Sequence, residues 1–312
     1  MSDIGIVIIT YHSEAHIGEC LDAAMRTGAD IVVVDNASSD RTIAEIARRG
    51  VRLIANPTNR GFAAAANQGF SVLNCPYVLL LNPDAVLETG LEALREACDL
   101  PGAAAAGGKL LDAEGRPQTG FMVRRFPTPM TLIAEAMLVN RIWPNGPVNR
   151  RYRALDLDYS KRQPVEQPAG ALLMVKRAVW HEVGGFTEEY FPLWFEDVDF
   201  CRRIIDCGYL VYYAPNTVAK HTGGHSLPQL TVEIRRVYWY RSLLTYSVRH
   251  FGPWKFRAVC LAVVTGSLLR MIIESVSGGS LKPMADYAKV VRLAGRCFFA
   301  TEGMDRFGPT PI

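Results

Sequence analysis

The stretch IGIVIITYHSEAHIGECLDAAMRTGADIVVVDNASSDRT, residues 4–42, contains the pattern that decides the fold. Two near-continuous apolar runs, residues 4–10 and 31–34, have the length and the lack of alternation that are typical of buried parallel strands. Between them, residues 16–25 carry apolar side chains at helical spacing. A strand, a helix and a second strand in this order predict a right-handed crossover within a parallel sheet.

The alternation of strands and helices continues to residue 81. A helix capped by Asp40 is expected first, and a strand, a helix and a strand follow it; the four ranges are 42–49, 51–55, 62–73 and 77–81. We therefore expect an α/β fold with a mostly parallel sheet and helices on both of its faces. Ligands of such sheets bind beyond the carboxyl ends of the strands.

Regular alternation ends after a helix at residues 88–98 and a strand at 103–111. Residues 112–167 contain six prolines and are predicted to be a long connection with one helix, at residues 131–140. Long connections of this kind are usually functional or disordered. Four further elements are then expected, a strand, two helices and a strand, at residues 169–175, 177–183, 198–207 and 209–213.

The composition excludes several classes of protein. The chain has 312 residues and a net charge of +3, and no basic motif is interleaved with aromatic residues, so a nucleic-acid partner is not expected. The seven cysteines are odd in number and form no CxxC pair, which favours reduced thiols in the cytoplasm over a zinc site or disulfides. The first apolar run follows no basic segment, so it is predicted to be a strand rather than a signal peptide.

The positive charge is concentrated near the C-terminus. Residues 228–300 contain eleven Lys and Arg against three Asp and Glu, and residues 258–269 form an uncharged stretch of twelve residues. This stretch is shorter than the roughly 20 apolar residues that span a bilayer. We expect residues 228–312 to form a basic amphipathic helical region on an anionic membrane surface, with Trp254 and Phe256 inserted. The alternative is a helix that is buried against the preceding domain.

Polar residues follow four consecutive predicted strands, so all four strand ends should face one site. These residues are Thr10, Tyr11 and His12, then Asp35 and Asn36, then Asn56 to Gly61, and finally Asn82, Pro83 and Asp84. A dinucleotide-binding enzyme would place GxGxxG directly after the first strand. Residues 10–18, TYHSEAHIG, lack these glycines, so a diphosphate must be bound in another way. A divalent metal held by an aspartate is the obvious substitute.

Each candidate residue also has a structural interpretation. Asp35 can accept hydrogen bonds from a base or a ribose hydroxyl, or it can form a plain Asx turn. Arg60 offers a charge to a base carbonyl or a phosphate, and Gly61 allows close approach of a ligand. Asp84 projects from its strand end, although an NPD sequence alone can be a simple turn. His221 is a candidate ligand for a metal or a phosphate, although a lone histidine is more often a bystander.

A second group of candidates lies in LWFEDVDFCRR, residues 193–203. Glu196, Asp197 and Asp199 stand at the start of a predicted helix, where acids are favoured in any case. Asp199 can also pair with an arginine at helical spacing. A carboxylate beside aromatic residues such as Trp194 has a raised proton affinity, however, which suits a general base for an alcohol.

Six segments of the chain resemble the family 2 glycosyltransferases with the GT-A fold, and especially the rhamnosyltransferase-like branch. In order they are VIITYHSEAHIGECLDA, VVVDNASSDRT, NPTNRGFAAAANQG, YVLLLNPDA, GALLMVKRAVWHEVGGFTEEYFPLWFEDVDFCRR and VAKHTGGHS, and the resemblance covers roughly residues 4–250. It implies a GT-A catalytic domain at residues 1–227, with a nucleotide-sugar half at 1–111 and an acceptor half at 112–227. The C-terminal helical region at 228–312 would follow it.

The resemblance also implies roles for individual residues. Asp197 would be the catalytic base, and Asp84 with His221 would hold Mg²⁺ or Mn²⁺ at the donor diphosphate. Thr10, Asp35 and Arg60 are implied to contact the nucleoside. We expect Tyr11, Asn36, Gly61 and Asn67 to bind the nucleotide with them, and Trp194, Glu196 and Asp199 to bind the acceptor. The chain departs from the family at Asn82, where the first aspartate of a DxD motif is usual, so modest metal affinity is expected.

The implied reaction is an inverting transfer of a sugar, with rhamnose as one candidate, from a dTDP-, UDP- or GDP-sugar. The acceptor would be a hydroxyl of a glycan or a lipid-linked acceptor in cell-surface polysaccharide synthesis. The enzyme would be cytoplasmic and peripheral on the inner face of the cell membrane, and a homo-oligomer is left open. Two alternatives are a non-catalytic sugar-nucleotide-binding scaffold and a sugar-1-phosphate nucleotidyltransferase. The latter would need a glycine-rich basic loop that residues 10–18 do not provide.

Overall fold

The computed structural model of the chain describes residues 2–223 and 231–300. Up to residue 81 its elements follow the predicted order. They are β1 (Ile4–Thr10), α1 (Ile17–Met25), β2 (Asp30–Asp35), α2 (Thr42–Ala47), β3 (Arg52–Ala55), α3 (Phe62–Val72) and β4 (Tyr77–Leu81). The predicted alternation of strands and helices is therefore confirmed in this part of the chain.

The elements that follow are less regular. Up to residue 176 they are β5 (Ala85–Leu87), α4 (Glu92–Cys98), β6 (Ala103–Leu111), β7 (Val123–Arg124), α5 (Pro129–Ala136), α6 (Val139–Ile142), α7 (Pro147–Tyr152), β8 (Gln163–Val165), β9 (Gln167–Pro168) and β10 (Leu172–Lys176). The remaining elements are α8 (Arg177–Glu182), α9 (Glu196–Asp206), β11 (Leu210–His221), α10 (Val232–His250), α11 (Pro253–Gly278) and α12 (Lys282–Phe299).

Nine strands of the described residues form one sheet, in the order β3-β2-β1-β4-β10-β6-β11-β5, with β8 paired to β11. The first four strands in this order are parallel neighbours. β10 runs antiparallel between β4 and β6, and β11 is parallel to β6. Six of the nine strands therefore point in one direction, which confirms the α/β fold with a mostly parallel sheet. The carboxyl ends of β3, β2, β1 and β4 lie side by side, as predicted.

Helices that pack closely on the sheet bury its central strands. Val7 and Ile8 of β1 and Val33 of β2 are inaccessible to solvent. Gly69 of α3 lies so near β1 that a Cβ atom there would be 2.4 Å from the Cγ1 atom of Val7. The four consecutive alanines at the start of α3 are buried as well. Small residues on this helix therefore set the distance between α3 and the sheet.

Two differences from the predicted elements bear on the site. β5 is too short to carry a periodic signal, and it exists through antiparallel pairing with the end of β11, where Ala85 lies opposite His221. β11 continues well beyond its predicted end at residue 213. Its pairing with β6 is irregular between Ala214 and Val218 and then resumes. The irregular segment after Ala214 therefore resembles a strand end in the sequence. In the structure β11 continues past it, because it pairs with both β6 and β5.

The long connection contains more structure than predicted. The helix expected at residues 131–140 is divided into α5 and α6 at Leu138, which has a φ of 63°. Thr128 caps α5 by accepting a hydrogen bond from the Thr131 amide at 3.2 Å. β7 pairs with β9 in a separate two-stranded sheet. Short elements such as these depend on tertiary contacts rather than on propensity.

The chain divides into two compact units. The first unit, which contains the sheet, consists of Met1–Phe126, Arg153–Pro192 and Glu196–Pro228, and the second unit consists of Pro127–Tyr152, Leu193–Phe195 and Gln229–Ile312. The second unit thus takes in α5 to α7, which were expected in the acceptor half. The boundary expected between residues 227 and 228 lies outside the described residues.

The second unit is built from helices. α10, α11 and α12 pack on one another, and α11 also packs on α5. Phe256 of α11 is 2% exposed, so the expectation that it inserts into a membrane is wrong. Trp254, in contrast, is 80% exposed. Among the described residues, α11 is the one helix whose length and composition would allow it to cross a membrane.

Candidate active site

Asp35 links the carboxyl ends of β1 and β2 through hydrogen bonds. Its buried carboxylate accepts hydrogen bonds from the Thr10 hydroxyl at 2.8 Å, and from the Ser38 amide and hydroxyl at 2.8 and 2.5 Å. Thr10 and Asp35 therefore lie at the predicted sheet edge, and their polar groups already serve the fold. Asp40 accepts hydrogen bonds from the amide and hydroxyl of Thr42 at 3.1 and 2.6 Å, so it serves the fold. The N-cap position of α2 is Arg41, however, so the prediction that Asp40 caps this helix is wrong.

Asn36 holds the loop after β3 against the end of β2. Its side-chain nitrogen donates to the Gly61 carbonyl at 3.1 Å, and its oxygen accepts from the Asn56 side chain at 3.0 Å. Gly61 has a φ of 84°, and a Cβ atom there would lie 2.8 Å from the Phe191 ring, so glycine is required. Arg60, beside it, is exposed. The structure thus brings Asn36, Arg60 and Gly61 to one edge.

Tyr11 and Asn67 have different surroundings. Tyr11 is half-buried after β1, and its ring packs edge-on against His12 with centroids 4.3 Å apart. Asn67 lies on α3, and its side chain both donates to and accepts from the backbone of Phe186, at 2.8 Å in each case. Asn67 therefore anchors the chain after α8, in addition to any contact that it makes with a nucleotide.

The pairing of β5 with β11 brings Asp84 and His221 together. Oδ1 of Asp84 lies 3.5 Å from Nε2 of His221, and Oδ2 of Asp84 accepts a hydrogen bond from the Gly223 amide at 2.9 Å. The side-chain nitrogen of Asn82 lies 3.3 Å from the same Nε2 atom. Both Asp84 and His221 are buried. Residues that are distant in the sequence thus share the end of β4.

Gln118 and Phe121 hold the imidazole of His221 in place. The side-chain nitrogen of Gln118 donates to the His221 carbonyl at 2.8 Å, and its oxygen lies 3.1 Å from Nδ1 of the ring. Phe121 stacks on the ring with centroids 5.3 Å apart. If Nδ1–H donates to Gln118, the Nε2 lone pair is directed towards Asp84 and Asn82. This is the tautomer that a metal-binding histidine requires.

These donors fit a divalent cation that is shared with a phosphate ligand. A carboxylate oxygen and an imidazole nitrogen 3.5 Å apart can both reach one cation, since Mg²⁺ binds its ligands at about 2.0–2.1 Å. Within residues 2–223 and 231–300, no group of three or more His, Cys, Asp and Glu side chains could hold a metal ion. The other ligands of such a cation would have to come from a bound molecule such as a phosphate.

Asp197 lies in the first turn of α9 and is held in one orientation. Its Oδ2 atom accepts hydrogen bonds from the Gly170 amide at 3.0 Å and the Gln167 side chain at 3.1 Å, and its Oδ1 atom accepts from the Val198 amide at 2.8 Å. A Cβ atom at Gly170 would lie 3.2 Å from the Cβ atom of Asp197. The Asp197 side chain is nevertheless partly exposed.

Burial changes the proton affinity of both acids at the start of α9. It raises the pKa of Asp197 above its ordinary value of 3.8, while the amides of Gly170 and Val198 and the charge of Arg124 lower it. Burial, followed by the negative charge of Asp197, raises the pKa of Glu196 well above 4.5. Among the described residues, Oε2 of Glu196 has no hydrogen-bond partner. A raised pKa is what a general base needs near neutral pH.

Asp199 and Trp194, which flank the first residues of α9, differ in burial and in backbone conformation. Asp199 is fully buried and accepts hydrogen bonds from the hydroxyls of Thr187 and Tyr190 at 2.7 and 3.1 Å, and from Arg203 at 2.8 Å. It therefore fixes the turn before α9. Trp194 is half-buried, belongs to the second unit and has a φ of 80°, which is rare for a bulky residue.

Gln118, Gln167 and Gly170 were not among the residues expected from the sequence. Gly170 does carry a signal, because a glycine just before a strand often marks a close approach of another group. The two glutamines carry none, because their amides act on groups that are distant in the sequence and lie in or beside the irregular connection.

Comparison with known proteins decides the family. A family model described as glycosyl transferase family 2 matches residues 5–160, which is half of the chain. The chain belongs to glycosyltransferase family 2. A second family model, described as the N-terminal domain of galactosyltransferase, matches residues 150–224, which include Asp197. The activity of this family 2 enzyme is therefore glycosyl transfer, and the predicted membership is confirmed.

One relative supports the rhamnosyltransferase-like branch. The family 2 enzyme is 28% identical to the N-acetylglucosaminyl-diphospho-decaprenol L-rhamnosyltransferase of Mycobacterium tuberculosis, over 82% of this chain and 88% of the relative.

Two solved structures share the fold. The mannosyltransferase PcManGT of Pyrobaculum calidifontis, in complex with GDP-Man and Mn²⁺, has a TM-score of 0.52 at 16% identity and covers 96% of this chain and 88% of its own. TarS 1–349 of S. aureus, in complex with UDP, has a TM-score of 0.50 at 16% identity and covers 95% of this chain and 82% of its own. The predicted GT-A fold is therefore confirmed.

Proposed function

We propose that this enzyme is an inverting glycosyltransferase with Asp197 as its catalytic base, and that it transfers L-rhamnose from a nucleoside diphosphate to a lipid-linked glycan. The geometry of Asp197 carries the proposal. Its carboxylate has a raised pKa, is oriented by Gly170 and Gln167, and is still partly exposed. The 28% identity to an N-acetylglucosaminyl-diphospho-decaprenol L-rhamnosyltransferase supports the choice of substrates.

The proposed reaction is a single displacement. The Asp197 carboxylate takes the proton of the acceptor hydroxyl while that oxygen forms a bond to the anomeric carbon, and the bond from this carbon to the diphosphate oxygen breaks. Attack from the face opposite the leaving diphosphate inverts the anomeric configuration, so no enzyme nucleophile is needed. Trp194 and Glu196 would contact the acceptor, and Asp199 would hold α9 in position.

The donor would bind at the carboxyl ends of β1 to β4. Tyr11 and Arg60 offer accessible surface to the nucleotide, while the residues that fix the surrounding loops are Thr10, Asp35, Asn36, Gly61 and Asn67. Asp84 and His221 would hold Mg²⁺ or Mn²⁺, with Gln118 fixing the tautomer of His221. The cation, when bound, would stabilise the negative charge of the leaving nucleoside diphosphate.

The cellular setting is part of the same proposal. A cytoplasmic enzyme on the inner face of the membrane would meet a lipid-linked acceptor in cell-surface polysaccharide synthesis. The catalytic domain would comprise residues 1–227, and the basic helical region at 228–312 would contact anionic lipid. Homo-oligomers are compatible with this arrangement.

Nucleotide binding and transfer can be tested in one series of measurements. Thermal unfolding with Mn²⁺ and dTDP, UDP or GDP should show the largest stabilisation with dTDP, because binding to the native state raises stability. With dTDP-L-rhamnose, release of dTDP should require N-acetylglucosaminyl-diphospho-decaprenol. If binding occurs but no acceptor triggers release, the scaffold alternative is supported. NMR of the product should show inversion at the anomeric carbon, and retention would contradict the single displacement.

A further inference from the structure

Large apolar side chains are exposed mainly on the second unit. Of the twenty that the described residues expose, sixteen belong to this unit, although it contains little more than a third of the chain. The four on the first unit lie on α1, on α2, in the loop before β7 and on β11; they are Met25, Ile43, Phe121 and Leu210. Extended apolar surface on a soluble unit usually marks a contact with a partner or a membrane.

Seven large apolar side chains are exposed on α11, and five of them form a stripe along one side of the helix. The five are Trp254, Leu261, Leu268, Ile272 and Val276, and the other two are Leu269 and Ile273. Successive members are seven or four residues apart and therefore lie on one face. At 1.5 Å per residue, the stripe is about 33 Å long. The opposite face is buried only as far as Ser267, and residues 268–278 contain no buried side chain.

A contact with α5 holds the segment just before α6 against α11. Arg270 of α11 donates hydrogen bonds to the carbonyls of Ala136 and Glu135, the second at 2.9 Å. Gly266 lies so close that a Cβ atom there would overlap the Ala136 carbonyl oxygen. α6 begins three residues after Ala136, and Ile142 at its end is 83% exposed. Trp143 follows it and is also exposed.

The charge of the second unit indicates what this apolar surface contacts. The unit contains fifteen Lys and Arg against six Asp and Glu, a net charge of +9, in a chain whose total is +3. Several of the cations are exposed on the elements that carry the apolar side chains or pack beside them; they are Arg141, Lys255, Lys282, Arg292 and Arg296. An apolar surface bordered by cations is complementary to an anionic lipid surface.

We propose that the α11 stripe together with Ile142 and Trp143, here called the lipid-docking surface, inserts into the headgroup region of an anionic bilayer. The inference rests on the membrane association in the proposed function and names the residues responsible for it. α11 lies along the membrane plane, because its other face, from Phe256 to Ser267, is covered by helices of the same unit. A second copy of the chain is a poor occupant, because it would bring two units of charge +9 together.

Vesicle sedimentation of the full chain tests this surface. Vesicles of phosphatidylcholine with 30% phosphatidylglycerol are compared with pure phosphatidylcholine, at low and at high salt. We expect binding to the anionic vesicles that weakens with salt. Two double variants, Ile142→Ser with Trp143→Ser and Ile272→Ser with Val276→Ser, should each weaken binding by at least about tenfold, because large apolar side chains no longer enter the bilayer.

The matched control is Met25→Ser with Ile43→Ser, which removes exposed apolar side chains from the first unit. It should bind vesicles like the unaltered protein, and unchanged thermal midpoints would show that all variants fold. If the unaltered protein binds vesicles and both double variants bind equally well, the lipid-docking surface is wrong. If the unaltered protein binds no vesicle, the proposed membrane association itself fails, whereas glycosyl transfer is unaffected. A dimer that the double variants dissociate, or resistance to alkaline extraction from cell membranes, would also overturn the inference.

Discussion

The two compact units differ in where their polar and apolar side chains lie. The first unit has nineteen Lys and Arg against twenty-five Asp and Glu, a net charge of −6, and exposes four large apolar side chains. The second has a net charge of +9 and exposes sixteen. In the first unit, buried polar groups lie at strand ends, where Thr10 contacts Asp35 and His221 contacts Asp84. In the second, Ser247 and Thr265 bond to carbonyls of their own helices.

This difference suggests that the first unit carries the reactive site and the second unit attaches the protein to a membrane. A reactive site needs polar groups that are held rigidly and partly dehydrated, and a sheet edge supplies positions for them from several strands. Attachment to a membrane needs apolar area and positive charge on the outside, which amphipathic helices supply. Changes confined to one unit should therefore affect one property and leave the other intact.

The largest expected effect is on catalysis by the first unit. Asp197→Asn keeps a side-chain oxygen for the Gly170 amide but cannot take a proton. We expect kcat to fall by about 10²–10⁴-fold, with donor binding and vesicle binding unchanged. The measurement is release of nucleoside diphosphate in the presence of the lipid acceptor. Activity within a factor of two of the unaltered enzyme would remove Asp197 as the base.

A smaller effect is expected at Gln118, which acts through His221. Gln118→Leu loses the contacts with both the ring and the carbonyl of His221, and affinity for Mn²⁺ in the presence of dTDP should fall by about 10–100-fold. Gln118→Glu keeps an acceptor for Nδ1 and should lose less. Titration followed by electron paramagnetic resonance measures the affinity directly. Equal affinities in all three proteins would show that Gln118 is only a structural residue.

Glycine substitutions should separate the two units by stability. Gly69→Ala in the first unit and Gly266→Ala in the second each add a methyl group where neighbouring atoms leave no room, and each should cost about 1–3 kcal/mol. Hydrogen exchange should localise the loss, near β1 and α3 for Gly69→Ala and near α5 and α11 for Gly266→Ala.

The control for these glycines is Gly295→Ala. This residue lies inside α12 with no atom within 4 Å of an added Cβ, so alanine should stabilise the protein by roughly 0.5–1 kcal/mol. If Gly69→Ala and Gly266→Ala raised exchange over the same set of amides, the two units would be one cooperative unit.

The smallest expected effect is a pH dependence that belongs to the first unit. Because the native pKa of Glu196 is raised above 4.5, the native state keeps this proton more tightly than the unfolded state does. The stability that this proton confers is present below about pH 4.5 and is lost as the pH rises towards the native pKa. Glu196→Gln should remove this loss.

Urea unfolding measures that difference. The free energy of unfolding of Glu196→Gln minus that of the unaltered protein should increase from pH 4.5 to pH 8. The same difference for the exposed control Glu19→Gln should not change with pH. A constant difference across this pH range would mean that Glu196 is not a buried acid in the native protein.

Much of the first half could be read from the sequence. Elements up to β4 were predicted almost at their observed bounds. The hydrophobic patterns of buried strands and amphipathic helices are complete within about ten to twenty residues, so they can be recognised from the sequence alone. The strand-end positions of Asp35, Asn36 and Asp84 followed from that order. β5, the end of β11 and the helices α6 and α7 could not be predicted, because they are too short or irregular and form through pairing with distant partners.

The sequence by itself determined the family, the parallel arrangement of the first strands and the candidate residues of the proposed site, because these depend on local patterns and on motifs in a fixed order. Only the tertiary structure decided that Gln118 contacts His221, that Gln167 and Gly170 orient Asp197, and which face of α11 is exposed. The physical reason is that burial and hydrogen-bond geometry depend on neighbours from distant parts of the chain.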